Sequence, residues 1–391
     1  MLSWLIGISC FVVPFVTVRG QDIRELKSAL AFVVMLIIGL ICAYKGQMKA
    51  FKNKFVLIFI GYIWLSIMLS PSSGVTMAGN PLMQFWSWKP FTYILAYFMG
   101  IWAISSYEFT TDDLRRILRA IMWCGVSMSI FALLQFFNLD QFFRSNGQTH
   151  NQWNLVGTLG HPTFVSSFIA MTVPIAIYRK RYLVALVIFI SVCMIQSMVA
   201  IGAMVISLLF LLGNRNKICG IITILLLIST ISGVLYINHA KPDYIIKNSS
   251  GRFNEWPDVL REVNRTIRPE KDAKLQKYPI TGRGIGSFYY TYYMIKWSDR
   301  RAKCAFRQAH NEYFELLYNN GIVGLILFLL AIGFMFYINI GINWYRSCLL
   351  ASFLCIGISA GGLFVWQLGA HMLFTAIIVG LLHNSKDLLK E

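Results

Sequence analysis

Apolar residues in this chain gather into long blocks, and most polar positions fall in the short gaps between them. The blocks reach or approach the length that spans a bilayer. Each block predicts a helix, because lipid cannot satisfy an open backbone. About twelve blocks are present, near residues 2–18, 27–44, 54–70, 90–106, 117–137, 161–178, 182–195, 197–212, 218–236, 320–338, 348–365 and 368–383. The run 182–212 holds 31 residues, too long for one span and short for two, and it divides at the Gln196-Ser197 pair. Residues 1–18 lack a basic leading region and a small-residue cleavage site, which predicts a first span and not a removed signal peptide. Composition agrees with the pattern: 57% of residues are hydrophobic and 13% charged, where soluble domains carry about a quarter charged. The expected fold class is an all-α polytopic membrane protein.

The gaps predict an orientation. With twelve spans and both termini inside, the inner loops hold Lys45, Lys49, Lys52, Lys54, Arg115, Arg116, Arg119, Arg179, Lys180, Arg181, Arg215, Lys217, Arg346, Lys386 and Lys390. The short outer loops hold Arg19, Arg24, Lys27, Lys89 and Arg144. Basic residues concentrate on the cytoplasmic side of membrane proteins, so fifteen against five places both ends in the cytoplasm. The organisation is then residues 1–236 as spans one to nine, 237–319 as a large outer loop, and 320–391 as spans ten to twelve with a short tail. No internal repeat marks the chain as an inverted-repeat transporter.

The outer loop carries the candidate chemistry. Up to Arg307 it has 15 Lys and Arg against 7 Asp and Glu. Long loops cross regardless of charge, so this excess does not conflict with the orientation. A structureless loop of this length is uncommon, and "FNEWPDVLREV" spaces Phe253, Trp256, Val259 and Leu260 for a helix on the outer face. Positive charge here suits membrane lipids at roughly 1 kcal/mol per residue. It does not suit nucleic acid, from which it faces away. Arg252 and Arg283 have the planar donor fork that grips a diphosphate. Equally, they are solvated charges or partners of carboxylates such as Glu255. Gly282, Gly284 and Gly286 permit tight turns and close approach, but they follow no strand of a βαβ unit and make no dinucleotide fingerprint.

The loop ends in "FRQAHNEYFELLYNNG". A neutral imidazole takes a proton near pH 7, so His310 is a candidate general base; the plainer reading is an interfacial histidine with one hydrogen bond. Asn311 and Glu312 would orient the ring or hold a polar substrate. Residues 310–318 read as a helix with Tyr313, Phe314 and Leu317 on an apolar face, and Asn319-Asn320-Gly321 reads as a stop before the next span. His150 and His161 flank span six and are candidates for the same cavity. His371, with Gln367, is expected to hydrogen-bond between helices. Of eight cysteines only Cys304 lies in the long polar segment, and none has metal-ligand spacing.

In order, "NLVGTLGHPTFVSSFIAMTVPIAI", "SGRFNEWPDVLREV", "YPITGRGIGSF" and "HNEYFELLYNNGIVGLILF" resemble the O-antigen ligase/polymerase superfamily of bacterial membrane glycosyltransferases, over roughly residues 154–338. The resemblance implies a GT-C-like fold in the bacterial inner membrane with a periplasmic site. It implies transfer of a glycan from an undecaprenyl-diphosphate carrier to an acceptor hydroxyl with inversion, using no cofactor, no nucleotide sugar and no metal. Arg252 would hold the diphosphate, Arg283 would assist, and His310 would activate the acceptor. Trp256, Gly282, Gly284, Asn311 and Glu312 would line the substrate site. The leading expectation is ligation to the lipid A-core of lipopolysaccharide. The alternatives are a polymerase extending the carrier-linked chain, a pilin-type transferase and, in a different class, a lipid-linked glycan transporter. Two departures stand out: relatives carry Ser-Arg where this chain has Ser197-Met198, and the extra C-terminal region of long pilin-glycosylating relatives is missing.

Overall fold

The structure, a computed structural model, describes residues 1–16, 23–69, 81–137, 139, 158–214, 256–257, 259–260, 280–282, 284–285, 288, 309–363 and 365–384, the side chains of 23–24, 67–69 and 81–90 excepted. Among the described residues all regular structure is helical. The helices are α1 (Leu2–Phe15), α2 (Ile23–Tyr44), α3 (Lys54–Leu69), α4 (Pro81–Ser106), α5 (Thr111–Phe136), α6 (Pro162–Ala170), α7 (Val173–Tyr178), α8 (Tyr182–Ile195), α9 (Met198–Gly213), α10 (Glu312–Tyr337), α11 (Trp344–Ala360) and α12 (Gly369–His383). Eleven of the predicted blocks thus have helical counterparts. The block at 218–236 lies outside the described residues.

Three helices are long and apolar enough to cross a membrane: α2 over Glu25–Tyr44, α5, and α10. The remaining apolar helices are shorter. Local chemistry explains the boundaries. Thr110 opens α5 with a capping box: its hydroxyl accepts from Asp113 N at 3.1 Å while Asp113 accepts from Thr110 N at 3.1 Å. Asn343 Oδ1 caps α11 by accepting from Arg346 N at 2.8 Å. The predicted span at 161–178 is broken into α6 and α7 beside Pro174, which has no N–H to continue the ladder. The Thr172 hydroxyl donates to Ile169 O at 2.7 Å at the break. Helix α5 crosses there on Gly125, where a Cβ would stand 2.2 Å from Thr172 Oγ1. The 182–212 run divides where the sequence placed the division, with Gln196 in a left-handed conformation (φ 58) between α8 and α9.

Helix α12 sits at the centre, packed on α1, α2, α4 and α11. Close approach is allowed by Gly369, against the Lys27 carbonyl, and Gly380, against Ile104. Helix α11 also packs on α9 and α7, and α10 packs on α3.

Polar contacts collect at the two ends of the bundle. At one end Lys49 pairs with Glu108 at 2.7 Å, and Arg116 pairs with Asp113 at 3.1 Å. There Arg346 is buried, donating to Asn339 Oδ1 at 2.6 Å and Asn384 O at 3.0 Å, and Asn384 Nδ2 donates to the Ile104 and Tyr107 carbonyls. Asn53 Nδ2 reaches Ala331 O at 3.0 Å and lies 3.4 Å from His383 Nε2. This end therefore joins the starts of α1, α3, α5 and α11 to the finishes of α2, α4, α10 and α12. The opposite end gathers Lys27, Thr158, Asn311, Glu312 and Gln367.

Candidate functional site

The site at that opposite end is built on the first turn of α10. Asn311 is its N-cap: Oδ1 accepts from Tyr313 N at 3.0 Å and Phe314 N at 3.1 Å, and Nδ2 donates to Gly361 O at 2.9 Å. Both ends of that amide are occupied in holding α10 to the turn after α11. Glu312 is buried, and its Oε1 accepts from Trp366 N at 2.9 Å. One turn on, Glu315 Oε2 accepts from Ala309 N at 3.2 Å. Gln367 joins the two carboxyl groups, its Nε2 donating to Glu312 Oε2 at 3.3 Å and Glu315 Oε1 at 3.0 Å. Carboxylates at a helix start also face the positive end of the helix dipole. Glu312 and Asn311 were read as substrate groups. In the structure their printed hydrogen bonds all hold the main chain or Gln367 in place.

His310 stands between these fixed neighbours. Its backbone is left-handed, with φ 50, an uncommon state for a residue with a side chain. Such a conformation persists when the surroundings over-determine it. Here they do. Ala309 is held from both sides, its N by Glu315 and its O by Trp256 Nε1 at 2.9 Å. Asn311 is fixed by the cap. Trp256 packs edge-on against Phe314 with ring centroids 5.6 Å apart, beside a small cluster of Val259, Phe288, Ala309 and Tyr318. The "NEWPDVL" stretch thus touches the residue preceding the histidine.

The expected stop at Asn319-Asn320-Gly321 is instead a kink. The chain passes through Gly321 with φ 65 and ψ −173 and continues to Tyr337. A kink frees main-chain groups that lipid cannot satisfy. The "ITGRG" stretch takes them up: Gly284 N donates to Asn319 O at 2.7 Å, and Val323 N donates to Ile280 O at 3.2 Å. Gly282 is left-handed (φ 77), and a Cβ there would lie 2.3 Å from Asn319 O. The close approach read from these glycines is therefore an approach to the backbone of α10. Tyr62 of α3 completes the joint, its hydroxyl between Asn320 O at 2.8 Å and Thr281 O at 3.0 Å.

The structure therefore brings together His310, Asn311, Glu312 and Trp256, with Gly282 and Gly284 docked further along the same helix. Arg252, Arg283 and His150 lie outside the described residues. His161 serves as the N-cap of α6, its Nδ1 accepting from Thr163 N at 3.3 Å. His371 Nε2 meets Ser167 Oγ at 2.9 Å, the interhelical bond expected of it. Gln367 is not in the last helix but in the 3₁₀ turn before it. Met198 is 82% exposed at the start of α9, while its neighbour Val199 packs on Gly362 beside the Asn311 anchor.

Sequence reading missed three groups. Glu315 is one turn from Glu312 and was detectable by its i, i+3 spacing. Gln367 was noticed, but its partners were not. Lys27 was counted as a loop charge, yet it is buried, its Nζ donating to the carbonyls of Pro14 and Thr158. No sequence spacing links those three positions. Among the described residues, no three His, Cys, Asp or Glu side chains are grouped to hold a metal ion.

No protein-family model matches the chain, and no curated protein is significantly similar to it. The fold and the apolar helices define a helical protein of membrane character.

Proposed function

We propose that this chain is an inverting, metal-independent glycosyltransferase of the O-antigen ligase/polymerase type, moving a glycan from an undecaprenyl-diphosphate carrier to an acceptor hydroxyl. The acceptor in this reading is the lipid A-core of lipopolysaccharide. We further propose a GT-C-like arrangement of about twelve spans in the bacterial inner membrane. The end rich in Lys and Arg and both termini are cytoplasmic, and the His310 end is periplasmic.

One observation carries the reading. Segments distant in sequence that resemble the family, around Trp256, Gly282 and His310, meet on the start of one helix at the end opposite the basic loops. The chemistry asks little beyond placement. A lipid diphosphate leaves readily once its charge is met, which is the role given to Arg252 with Arg283. His310 accepts the proton of the attacking hydroxyl, and its fixed backbone limits the positions the imidazole can take. Attack from the face opposite the diphosphate inverts the anomeric carbon.

The test uses purified full-length protein with lipid-linked glycan donor and lipid A-core acceptor. His310→Ala is expected to lower transfer about 10²-fold or more, the scale of a general base. Arg252→Lys is also expected to impair it, because the donor fork is lost. Wild-type rates in both variants would remove the proposal.

A further inference from the structure

The other end of the bundle holds a cationic cluster that the proposed reaction does not use. Helix α5 packs against both α7 and α8, and the turn joining those two carries Arg179, Lys180 and Arg181 in succession. That turn has a defined form. Arg181 N donates to Ala176 O at 3.0 Å and Lys180 N to Ile177 O at 2.9 Å, with Lys180 left-handed at φ 56. This is a Schellman closure, which fixes the direction of the flanking basic side chains. Tyr178 anchors it to α11 through the Tyr345 ring, 5.6 Å between centroids.

Arg119 projects from α5 toward the same turn. Burial, and next the nearby Arg119 charge, hold the Arg179 guanidinium below its ordinary range; Arg115 and Arg181 add to this, and Tyr178 opposes it. The local acids are engaged elsewhere. Asp112 lies 3.7 Å from Arg115, and Asp113 is bonded to Ser3, Thr110 and Arg116. Among the described residues, no carboxylate lies within ion-pair distance of Arg119, Arg179 or Arg181, and Arg179 Nε is buried without a hydrogen-bond partner. Like charges gathered this way are stabilised by an anion.

The surroundings select the kind of anion. Helix α8 buries Ala185, Ile188 and Val192 and exposes Leu183, Leu186 and Ile190 at helical spacing. On α5, Trp123 is exposed one turn beyond Arg119. An apolar strip thus runs away from the guanidinium cluster, as an acyl chain runs away from a phosphate.

We propose that Arg119, Arg179 and Arg181, with the exposed strip of α8, form a binding site for an anionic glycerophospholipid. The headgroup phosphate lies between the guanidinium groups, and one acyl chain lies along Leu183, Leu186 and Ile190. Arginine suits this role because its planar fork binds two phosphate oxygens at once.

Native mass spectrometry of the full-length protein in mild detergent tests the site. Phosphatidylglycerol is expected to be retained above phosphatidylcholine. Arg119→Gln with Arg181→Gln should lower that retention about fivefold per charge removed, the scale of one basic residue at an anionic surface. Arg179→Lys, which keeps the charge, should lower it less than Arg179→Gln. Lys45→Gln, a basic change at another loop of the same end, should leave it unchanged. If the double variant fails to fold, Arg119→Gln alone, at an exposed position, carries the same fivefold expectation. Unchanged phosphatidylglycerol retention in the foldable variants would overturn the proposal, as would equal retention of phosphatidylcholine. Displacement of the lipid by millimolar inorganic phosphate would also overturn it, in favour of a free-phosphate site.

Discussion

His310 owes its position to its neighbours more than to itself. Its left-handed backbone is enclosed by an alanine held on both sides and by a capping asparagine. Asn311→Ala removes the cap and the bond to Gly361, so thermal unfolding in detergent should show a loss of about 1–2 kcal/mol. Asn311→Asp, which still caps, should recover part of it. Gln367→Leu tests the carboxyl pair differently. It takes the shared donor from Glu312 and Glu315, and glycan transfer should fall because the histidine's support loosens while the histidine remains. Transfer by Gln367→Leu at the wild-type rate would show that this support is not needed. The histidine and its flanking residues were legible from the sequence, because polar side chains are conspicuous beside an apolar block. The pairing of Glu312 with Trp366 and Gln367, more than fifty residues away, was not.

At the scale of elements, block lengths and Lys/Arg gaps set the helices. The capped starts of α5 and α11 follow local rules of Thr, Asp and Asn placement. Where expectation and structure part, the cause is a contact between elements. Asn319-Asn320-Gly321 has the composition of a helix stop. It is bridged because the 280–284 stretch supplies a donor and an acceptor to the opened ladder. Gly282→Ala is expected to break that joint, since φ is positive there and the Asn319 carbonyl is already in contact. Hydrogen exchange should then show lost protection at the Gly284 and Val323 amides, with α12 unaffected. Retained protection at both amides would contradict the docking described. Similarly, the break between α6 and α7 is forecast by Pro174, but the use of Gly125 to let α5 cross it belongs to packing alone.

For the whole molecule, the basic loops collect at one end and the candidate site at the other. Cysteine substituted for Lys45 or for Lys180, in a background without native cysteines, should react with a membrane-impermeant reagent from one side only. Cysteine in place of Gly160 should react from the other side only. Labelling of all three from one side would refute the two-ended arrangement. Arg346 is the main tie at the basic end, linking α10, α11 and the residue after α12. Removing it leaves buried acceptors without a charged donor, so Arg346→Ala should lower stability by about 2–3 kcal/mol, read as a drop in the thermal midpoint.

By itself the sequence determined that the chain is helical and of membrane character, where nearly every helix lies, and which stretch carries a histidine beside the apolar phase. These are matters of local composition, since a solvent without hydrogen bonds forces an apolar run into a helix whatever its neighbours. Only the tertiary structure decided that Lys27 is buried on two carbonyls, that glycines expected to approach a ligand approach α10 instead, and that a glutamine before the last helix joins two carboxyl groups. Those outcomes depend on which distant main-chain groups are left unsatisfied when the helices pack. One-dimensional spacing does not encode that.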